Sequence, residues 1–433
     1  MDQNCRGWGG DGRWWEPTED GRRRTDDTEA VYLAAAGDEF SCVNPLSFLA
    51  YALAAGKGRV DGVLASAWAA AGFTLLQRSA PLVRAMAGRR SGIFLPPSGA
   101  VVSALAASDG RGALLLPTVV PPEELSWWLD QYDVGAVFTT RAWAERLPET
   151  ARAIVLLDDA PRSATVLTPG AEQRIDLGSH FGLELEGEET DGSLDECVIS
   201  TTGGGVTFSH RAMFALARGA VDATSLIDRD RVLAVQPASA LAEFSLTIAG
   251  PLLAGAEVLT LPVFDAIEAV ERLRGERITV MAADAAAYNA MLGALEDRAP
   301  LRGIPLRVCT CVGARPDAAL QKRWLAATGV ELRHAFGVAE LPLLLYNAPH
   351  FPNRPGSLGV PFPAVHAEVR GGKSPPEDGV LWAQGAARGV ARESGHGAHA
   401  AYDAAGATAA AESWFNTGVA ARARADGAFD LSE

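Results

Sequence analysis

The residues with the clearest chemical potential form one loop, Ser200-Thr201-Thr202-Gly203-Gly204-Gly205. Glycines let backbone N–H groups converge on an anion, and the hydroxyls add further donors. The apolar run Cys197-Val198-Ile199 enters the loop, Val206-Thr207-Phe208 leaves it as a predicted strand, and Ser209 is a good helix N-cap. The loop therefore predicts a phosphate site. A flexible β-turn is the alternative, because glycine-rich turns are common.

Further segments follow the loop in a fixed order. They are Val232 to Gln236, Phe336-Gly337-Val338-Ala339-Glu340, the run from Arg354 to Pro361, and Trp414-Phe415-Asn416-Thr417-Gly418-Val419. In this order and at these separations, the segments resemble the core motifs of the adenylate-forming (ANL) superfamily. That superfamily includes acyl-CoA synthetases, nonribosomal-peptide adenylation domains and luciferases. The resemblance extends from roughly residue 73 to the last residue.

The resemblance implies an ATP phosphate loop that has lost its cation. In the family this loop ends in Pro-Lys-Gly, whereas Gly203-Gly204-Gly205 is shorter and has neither proline nor lysine. No lysine occurs between Lys57 and Lys322. Arg211 is the nearest cation in the sequence, and we interpret it as a solvated side chain rather than a phosphate ligand.

Two other family positions have also changed. The family's aromatic-Gly-x-Thr-Glu motif keeps Phe336 for adenine and Glu340 for Mg²⁺, but Ala339 replaces the threonine. The ribose-binding aspartate is Val419, whose side chain accepts no hydrogen bond. We therefore expect no cofactor, with neither ATP nor Mg²⁺ used. Glu340 would be a metal ligand only if Mg²⁺ is bound.

The resemblance also implies an acyl or aryl pocket. The positions that correspond to it are Phe244, Gly313, Ala314, Arg315, Phe336, Gly337 and Val338. His334 is the candidate acid or base, with a structural histidine as the alternative. The stretch from Pro237 to Leu241 has neither the aromatic residue nor the histidine that the family places near this pocket.

Short apolar runs alternate with helical patterns from Ser91 onward, which predicts an α/β fold with crossover helices between parallel strands. We expect two stacked α/β layers with mostly parallel sheets and a small β-rich C-terminal subdomain. The predicted division is 1–28 as a mobile leader, 29–165 and 194–364 as the two α/β subdomains, and 365–433 as the β-rich subdomain. Residues 161–193 would connect the layers. The family's lysine-bearing C-terminal domain is expected to be absent.

Net charge and cysteine spacing limit the partners and the compartment that we expect for this protein. The 433 residues carry a net charge of −15, so nucleic acid and anionic membrane surfaces are unfavourable partners. Five scattered cysteines show no disulfide or zinc spacing and fit a reducing cytoplasm. Cys309 and Cys311 alternate within an apolar run, which favours core packing over reactivity. A homodimer is left open.

These observations lead to one functional hypothesis and two alternatives. The first is a diverged acyl-CoA synthetase-like enzyme that binds an acyl, aryl or carrier-linked substrate as a CoA or carrier-protein thioester. It no longer forms acyl-AMP, and it performs ATP-independent acyl transfer, condensation or cyclisation in specialised metabolism. The alternatives are a noncatalytic scaffold and an ATP-dependent ligase completed by a separate C-terminal domain.

Overall fold

The computed structural model describes residues 57–108, 112–149, 151–178, 196–296, 298–353, 355–371, 378–391 and 411–432, with short pieces at 7–8, 14–15, 53–54 and 409. The strands are β1 Gly7–Trp8, β2 Trp14–Trp15, β3 Arg59–Val60, β4 Val63–Leu64, β5 Arg90–Ile93, β6 Ala113–Leu115, β7 Val134–Thr139, β8 Ile154–Leu157, β9 Ser163–Thr168, β10 Ala171–Asp176, β11 Glu196–Ser200, β12 Val206–Ser209, β13 Arg231–Ala234, β14 Glu257–Thr260, β15 Val280–Ala283, β16 Val308–Val312, β17 Leu332–Val338, β18 Leu341–Tyr346, β19 Ser357–Pro361, β20 Val365–Arg370, β21 Gly379–Gly385, β22 Val390–Ala391, β23 Phe415–Ala423 and β24 Phe429–Leu431. The helices are α1 Ala65–Arg78, α2 Ala80–Met86, α3 Ala100–Ala107, α4 Pro122–Gln131, α5 Arg141–Ala144, α6 His210–Thr224, α7 Leu241–Phe244, α8 Gly250–Leu253, α9 Ala266–Gly275, α10 Ala285–Leu295 and α11 Ala318–Thr328.

Two large sheets organise these elements. The first has nine strands in the order β10-β9-β8-β7-β5-β6-β11-β12-β22. The second has thirteen, in the order β20-β21-β23-β24-β19-β18-β17-β16-β15-β13-β14-β3-β4. Strands β3, β14, β13, β15, β16 and β17 run parallel, while the C-terminal strands pair antiparallel. The predicted α/β class, with mostly parallel sheets and a strand-rich C-terminal part, is confirmed.

The parallel strands are buried on both faces. On one face, neighbours in register pack Leu233, Met281, Cys309 and Leu332 together beneath α9, α10 and α11. Burial raises the pKa of both the Cys309 and the Cys311 thiols to about 12. These sulfurs are therefore protonated core groups, as the sequence pattern predicts.

Helix starts follow the expected capping chemistry. Among the described residues, five helices begin after a residue whose side-chain oxygen accepts the backbone N–H three residues further on: Ser79, Ser209, Asp265, Asp284 and Asp317. Each cap satisfies one of the donors that a helix N-terminus leaves free. Three of the capping residues, Asp265, Asp284 and Asp317, lie before helices that follow parallel strands. They therefore help to fix the direction of each crossover.

The segment expected to connect the layers contains a hairpin instead. Strands β9 and β10 pair antiparallel, and β9 adds to β8 at the edge of the first sheet. Alternate residues Ala164 and Val166 are buried there, which is the pattern of a half-buried strand. Residues 179–195 lie outside the described part of the chain, as does most of the predicted leader.

The chain also returns to the first sheet after that segment. Strand β11 pairs parallel with β6 and antiparallel with β12, so the glycine loop belongs to the first sheet although it follows residue 194. Strands β3 and β4 add to the second sheet although they lie within 29–165. The division into subdomains stays a prediction, but the sheets cross its boundaries at these two points.

One predicted helix is interrupted. The sequence predicts a helix from Leu241 to Leu252, whereas the structure has α7, a π-helical segment at Ser245–Ala249, and then α8. Pro251 provides the physical reason, because it has no N–H to donate to the carbonyl of residue 247. Within the described residues, no helix combines the length and apolar character needed to cross a membrane.

Two helical glycines give opposite predictions for stability. A Cβ at Gly72 in α1 would overlap the Ser103 carbonyl and lie 2.7 Å from the Ala106 Cβ, whereas a Cβ at Gly293 in α10 meets nothing within 4 Å. Gly72→Ala should lower the free energy of unfolding by about 1–3 kcal/mol, because α1 must move away from α3, the helix that contains Ser103 and Ala106. Gly293→Ala should raise it by about 0.5–1 kcal/mol. Denaturant unfolding of both variants checks the signs, and a neutral Gly72→Ala would contradict the close helix contact.

Candidate nucleotide and acyl site

The glycine loop forms a tight turn between β11 and β12. Residues Thr202–Gly204 make one turn of 3₁₀ helix, and the Gly204 N–H donates to the Thr201 carbonyl. Gly203, Gly204 and Gly205 have φ values of 74°, 85° and 106°. Side chains other than glycine rarely adopt this region, so three consecutive glycines are needed for this backbone path.

Only part of the loop faces outward. The Ser200 hydroxyl is buried and accepts the Thr202 N–H at 3.3 Å, while the Thr201 hydroxyl donates to the Leu115 carbonyl at 3.2 Å. Thr202, Gly203 and Gly204 are exposed. The Ser200 and Thr201 hydroxyls therefore stabilise the loop internally. Thr202, Gly203 and Gly204 are the part of the predicted phosphate site that faces solvent.

The loop packs directly on the second sheet. A Cβ at Gly203 would overlap the Cβ of Ala339, and a Cβ at Gly205 would overlap the Tyr132 hydroxyl. Ala339 lies in the two-residue turn between β17 and β18. The predicted loop and the aromatic-Gly motif therefore come together, although Ala339 follows Gly203 by 136 residues in the sequence.

The aromatic-Gly motif is a β-hairpin. Phe336, Gly337 and Val338 end β17 and are half-buried, and Glu340 occupies the turn. A Cβ at Gly337 would overlap the Pro342 backbone, so the hairpin closes only with glycine at this position. The Glu340 carbonyl accepts the Gly389 N–H at 2.8 Å, which joins the turn to the segment before β22.

His334 lies inside this region and positions a turn. Its side chain is buried, and its Nε2 lies 3.1 Å from the Gly313 carbonyl, so Nε2 is the donor. The Nδ1 atom has no hydrogen-bond partner. Burial lowers the pKa of His334, and the Arg315 charge lowers it further. The neutral imidazole therefore fixes the turn, and its acid–base role stays a prediction.

The remaining predicted pocket residues are distributed unevenly. Gly313, Ala314 and Arg315 form an exposed turn after β16, and Arg315 Nη1 donates to the Gly356 carbonyl at 2.9 Å. Phe244 is 2% exposed and packs in the main core. The turn is thus an exposed surface, whereas the Phe244 side chain is buried in the main core, and the acyl pocket that would join them stays a prediction.

Two carboxyl groups interact near Phe244: Glu243 precedes it within α7, and Asp284 directly follows β15. Asp284 follows β15, caps α10 and accepts from Gln236 Nε2 at 3.4 Å. Burial raises the pKa of Glu243 to about 7, and the Asp284 carboxylate adds to the shift. Neither residue was predicted from the sequence. For Asp284 the available signal was its position directly after β15, because α/β proteins bind ligands at the carboxyl ends of their strands.

Val419, which the resemblance places at the position of a ribose-binding aspartate, has apolar surroundings. It lies in β23, is half-buried, and packs against the main core. Its N–H donates to the Thr417 hydroxyl at 3.2 Å, and that hydroxyl donates to the Leu381 carbonyl at 2.7 Å. An aspartate carboxylate here would be placed against apolar side chains.

Arg388 is a cation that the sequence did not single out. It is half-buried between β21 and β22, and its guanidinium carbon lies 4.2 Å from the centroid of the Phe415 ring. Burial lowers its pKa, and the Glu340 carboxylate opposes that shift. The fold therefore places a positive charge near the motif glutamate, 48 residues further along the chain.

The residues present fit a nucleotide with Mg²⁺ in part. The exposed glycine backbone can take a phosphate, Phe336 offers an aromatic face, and Glu340 offers one carboxylate. In the described residues, no group of three or more His, Cys, Asp or Glu side chains could hold a metal alone. Mg²⁺ commonly binds one or two carboxylates together with substrate phosphates, so a single glutamate is compatible with it.

Comparison with known proteins shows the family of this chain. Residues 82–393 match the AMP-binding enzyme family. The chain belongs to the AMP-binding enzyme family. It is 28% identical over 190 residues to a long-chain-fatty-acid–CoA ligase of Thermus thermophilus, covering 40% of this chain and 35% of the ligase. It is 28% identical over 318 residues to novobiocin biosynthesis protein H of Streptomyces niveus, covering 69% of this chain and 50% of that protein.

A solved structure shows the same fold. ATP-bound MatB from Rhodopseudomonas palustris aligns with a TM-score of 0.66 at 17% identity, over 90% of this chain and 78% of MatB. The matches to the two curated relatives span only 35% and 50% of their lengths. The acyl-CoA synthetase-like, ligase-related assignment made from the motifs is therefore confirmed at the level of the family.

The prediction that ATP and Mg²⁺ are not used is wrong. The family that matches most of the chain is that of AMP-binding enzymes, and MatB, which shares the fold, was solved with ATP bound. The prediction counted polar and charged side chains that are missing from the shortened glycine loop and at Ala339 and Val419. Backbone amides, the Phe336 ring and the Glu340 carboxylate do not depend on those side chains.

The contact between Gly203 and Ala339 makes a prediction about threonine at position 339. Ala339→Thr adds two heavy atoms next to Gly203, so it should displace the loop and lower the free energy of unfolding by about 1–3 kcal/mol. Ala420→Thr, on an exposed position of β23, is the matched control and should change stability by less than about 0.5 kcal/mol. Equal stability of the Ala339→Thr variant and wild type would contradict a tight contact, because the loop would then move aside at no cost in free energy.

Two buried titratable groups predict opposite pH dependences. Burial lowers the pKa of His210 from 6.5 to about 3, so below pH 6.5 the unfolded chain binds a proton that the folded chain does not. Glu243, with its pKa raised from 4.5 to about 7, behaves in the reverse way. Between pH 6.5 and 5, His210 should lower the free energy of unfolding as pH falls, and Glu243 should raise it, each by about 1.4 kcal/mol per pH unit.

Differences between wild type and variants isolate the two effects. The free energy of unfolding of wild type minus that of His210→Gln should fall with decreasing pH, and the corresponding difference for Glu243→Gln should rise. Denaturant unfolding between pH 6.5 and 5 measures both differences, and slopes of the same sign for His210 and Glu243 would contradict the assignment.

Proposed function

We propose that this chain is an acyl- or aryl-CoA ligase-like protein that binds a carboxylic or thioester substrate together with ATP and Mg²⁺, and that forms acyl-AMP far more slowly than ligases of its family. In this proposal the glycine amides would hold the phosphates, the Phe336 ring would stack on the adenine, and the Glu340 carboxylate would serve as a metal ligand. The substrate lies against the Gly313–Arg315 turn and β17. The likeness to a novobiocin biosynthesis protein supports a substrate from specialised metabolism.

The packing of Ala339 is the main support for a reduced rate of acyl-AMP formation, and two further changes agree with it. Ala339 fills the space beside Gly203, so no hydroxyl reaches the phosphates from this turn. The shortened loop brings no lysine, and Val419 packs against apolar side chains rather than toward a ribose. Each lost charged or polar contact costs about 1.5–3 kcal/mol, so the three together reduce transition-state stabilisation by a factor on the order of 10³ or more.

Bound ATP would supply an activated α-phosphate for a carboxylate to attack, with pyrophosphate as the leaving group. The residues of this chain would orient that reaction: the glycine loop would hold the phosphate chain next to the Ala339–Glu340 turn, which packs on Gly203. His334 keeps the Gly313 carbonyl in place through its Nε2–H. The finer hypothesis, acyl transfer, condensation or cyclisation of a thioester, would place that substrate at the same Gly313–Arg315 turn.

Calorimetric titration with ATP·Mg²⁺, followed by pyrophosphate exchange with a panel of aliphatic and aromatic carboxylic acids, tests the proposal. We expect saturable ATP·Mg²⁺ binding and exchange at least about 10³-fold slower than for MatB assayed in parallel. Glu340→Gln should weaken ATP·Mg²⁺ binding without changing adenosine binding. Exchange at a ligase's rate would favour the ATP-dependent ligase instead, and no binding of ATP·Mg²⁺ would contradict the proposal.

A further inference from the structure

Arg388 is held rigidly by two kinds of contact. Its guanidinium group stacks on Phe415, with 4.2 Å between the central carbon and the ring centroid. Its Nη1 donates to the Ser413 carbonyl at 3.1 Å and to the Ser413 hydroxyl at 3.2 Å. A planar guanidinium fixed by a ring and two acceptors presents its charge in a defined direction, unlike a freely rotating surface cation.

The backbone next to Arg388 is fixed as well. The Gly389 N–H donates to the Glu340 carbonyl at 2.8 Å. A Cβ at Gly389 would lie 2.6 Å from Val206 Cγ1, so the chain passes directly over β12, the strand that leaves the glycine loop. The next two residues form β22 and pair with Val206 and Thr207. Arg388 thus lies where the glycine-loop strand, the Glu340 turn and the start of β23 meet.

Two opposite charges lie at this junction. Glu340 is half-buried, and its carboxylate stabilises the charged form of Arg388 across the junction. A nucleotide triphosphate brings several negative charges to the same place, and the loop has no lysine to balance them. A cation in a partly desolvated position acts on phosphate more strongly than one in bulk water.

We propose that Arg388 is a phosphate-binding cation of the nucleotide site, which supplies from the segment before β22 the positive charge that the glycine loop lacks. This inference rests on the proposed function, because it requires ATP to bind between the glycine loop and Glu340. It assigns a role to a residue outside every motif considered above. It also predicts that nucleotide affinity depends on the charge at position 388 and on the number of phosphates.

The test compares Arg388→Gln and Arg388→Lys with Arg370→Gln. Arg370 is the matched control, since it stacks on Trp382 and Trp414 at 4.7 Å each but pairs with Glu368 on β20. Calorimetry gives the Kd of each protein for ATP·Mg²⁺ and for adenosine. Arg388→Gln should weaken ATP·Mg²⁺ binding about tenfold or more and leave adenosine binding unchanged. Arg388→Lys should recover most of the loss, and Arg370→Gln should bind as wild type.

The experiment distinguishes a failure of the role assigned to Arg388 from a failure of the proposed function. If wild type binds ATP·Mg²⁺ and Arg388→Gln binds it equally well, this inference is overturned and the proposed function stands. If Arg388→Gln loses ATP and adenosine affinity in parallel, with a lower Tm, Arg388 has only a structural role and the inference is again overturned. If wild type binds adenosine but no ATP·Mg²⁺, the proposed function fails and this inference fails with it.

Discussion

The contact between Gly203 and Ala339 determines how the two large sheets meet at the nucleotide site. Gly203 belongs to a loop of the first sheet, and Ala339 belongs to a hairpin of the second. Because a single methyl group fills the space between them, neither position tolerates a larger side chain without movement of a backbone. The sizes of the loop glycine and the hairpin alanine therefore depend on each other, because both residues fill the same space.

This packing is reinforced from a third direction. Strand β22 crosses to the first sheet and pairs with β12, while the preceding residue, Gly389, bonds to the Glu340 carbonyl. The loop, the hairpin and the segment before β22 thus form a closed set of contacts. In such a set, a group lost from one element can be compensated by charge from another, which is the role that we assign to Arg388.

Much of the scaffold follows from local sequence patterns. Alternating apolar runs and helical segments predict the parallel strands, and Asp284 and Asp317 mark helix starts through capping chemistry. The π-helical interruption before Pro251 and the β9–β10 hairpin were missed, although each has a local cause. The motif order also predicts the family, because residue types at fixed separations survive where overall identity is low.

The remaining features depend on pairings between distant residues. Strands β11 and β12 return to the first sheet, and Arg388 reaches the Glu340 turn, through contacts that no local pattern encodes. The mistaken expectation that ATP and Mg²⁺ are not used has a related cause. Counting absent side chains at Ala339 and Val419 ignores the backbone amides and the distant cation, which only the folded chain brings to the site.

The most direct test of this account is a single-turnover measurement of acyl-AMP by mass spectrometry, with protein in excess over ATP·Mg²⁺ and with saturating carboxylic acids. The account predicts that the chain binds the nucleotide while acyl-AMP accumulates on only a small fraction of it over the time in which MatB converts fully. Stoichiometric acyl-AMP at a ligase's rate would contradict the central claim.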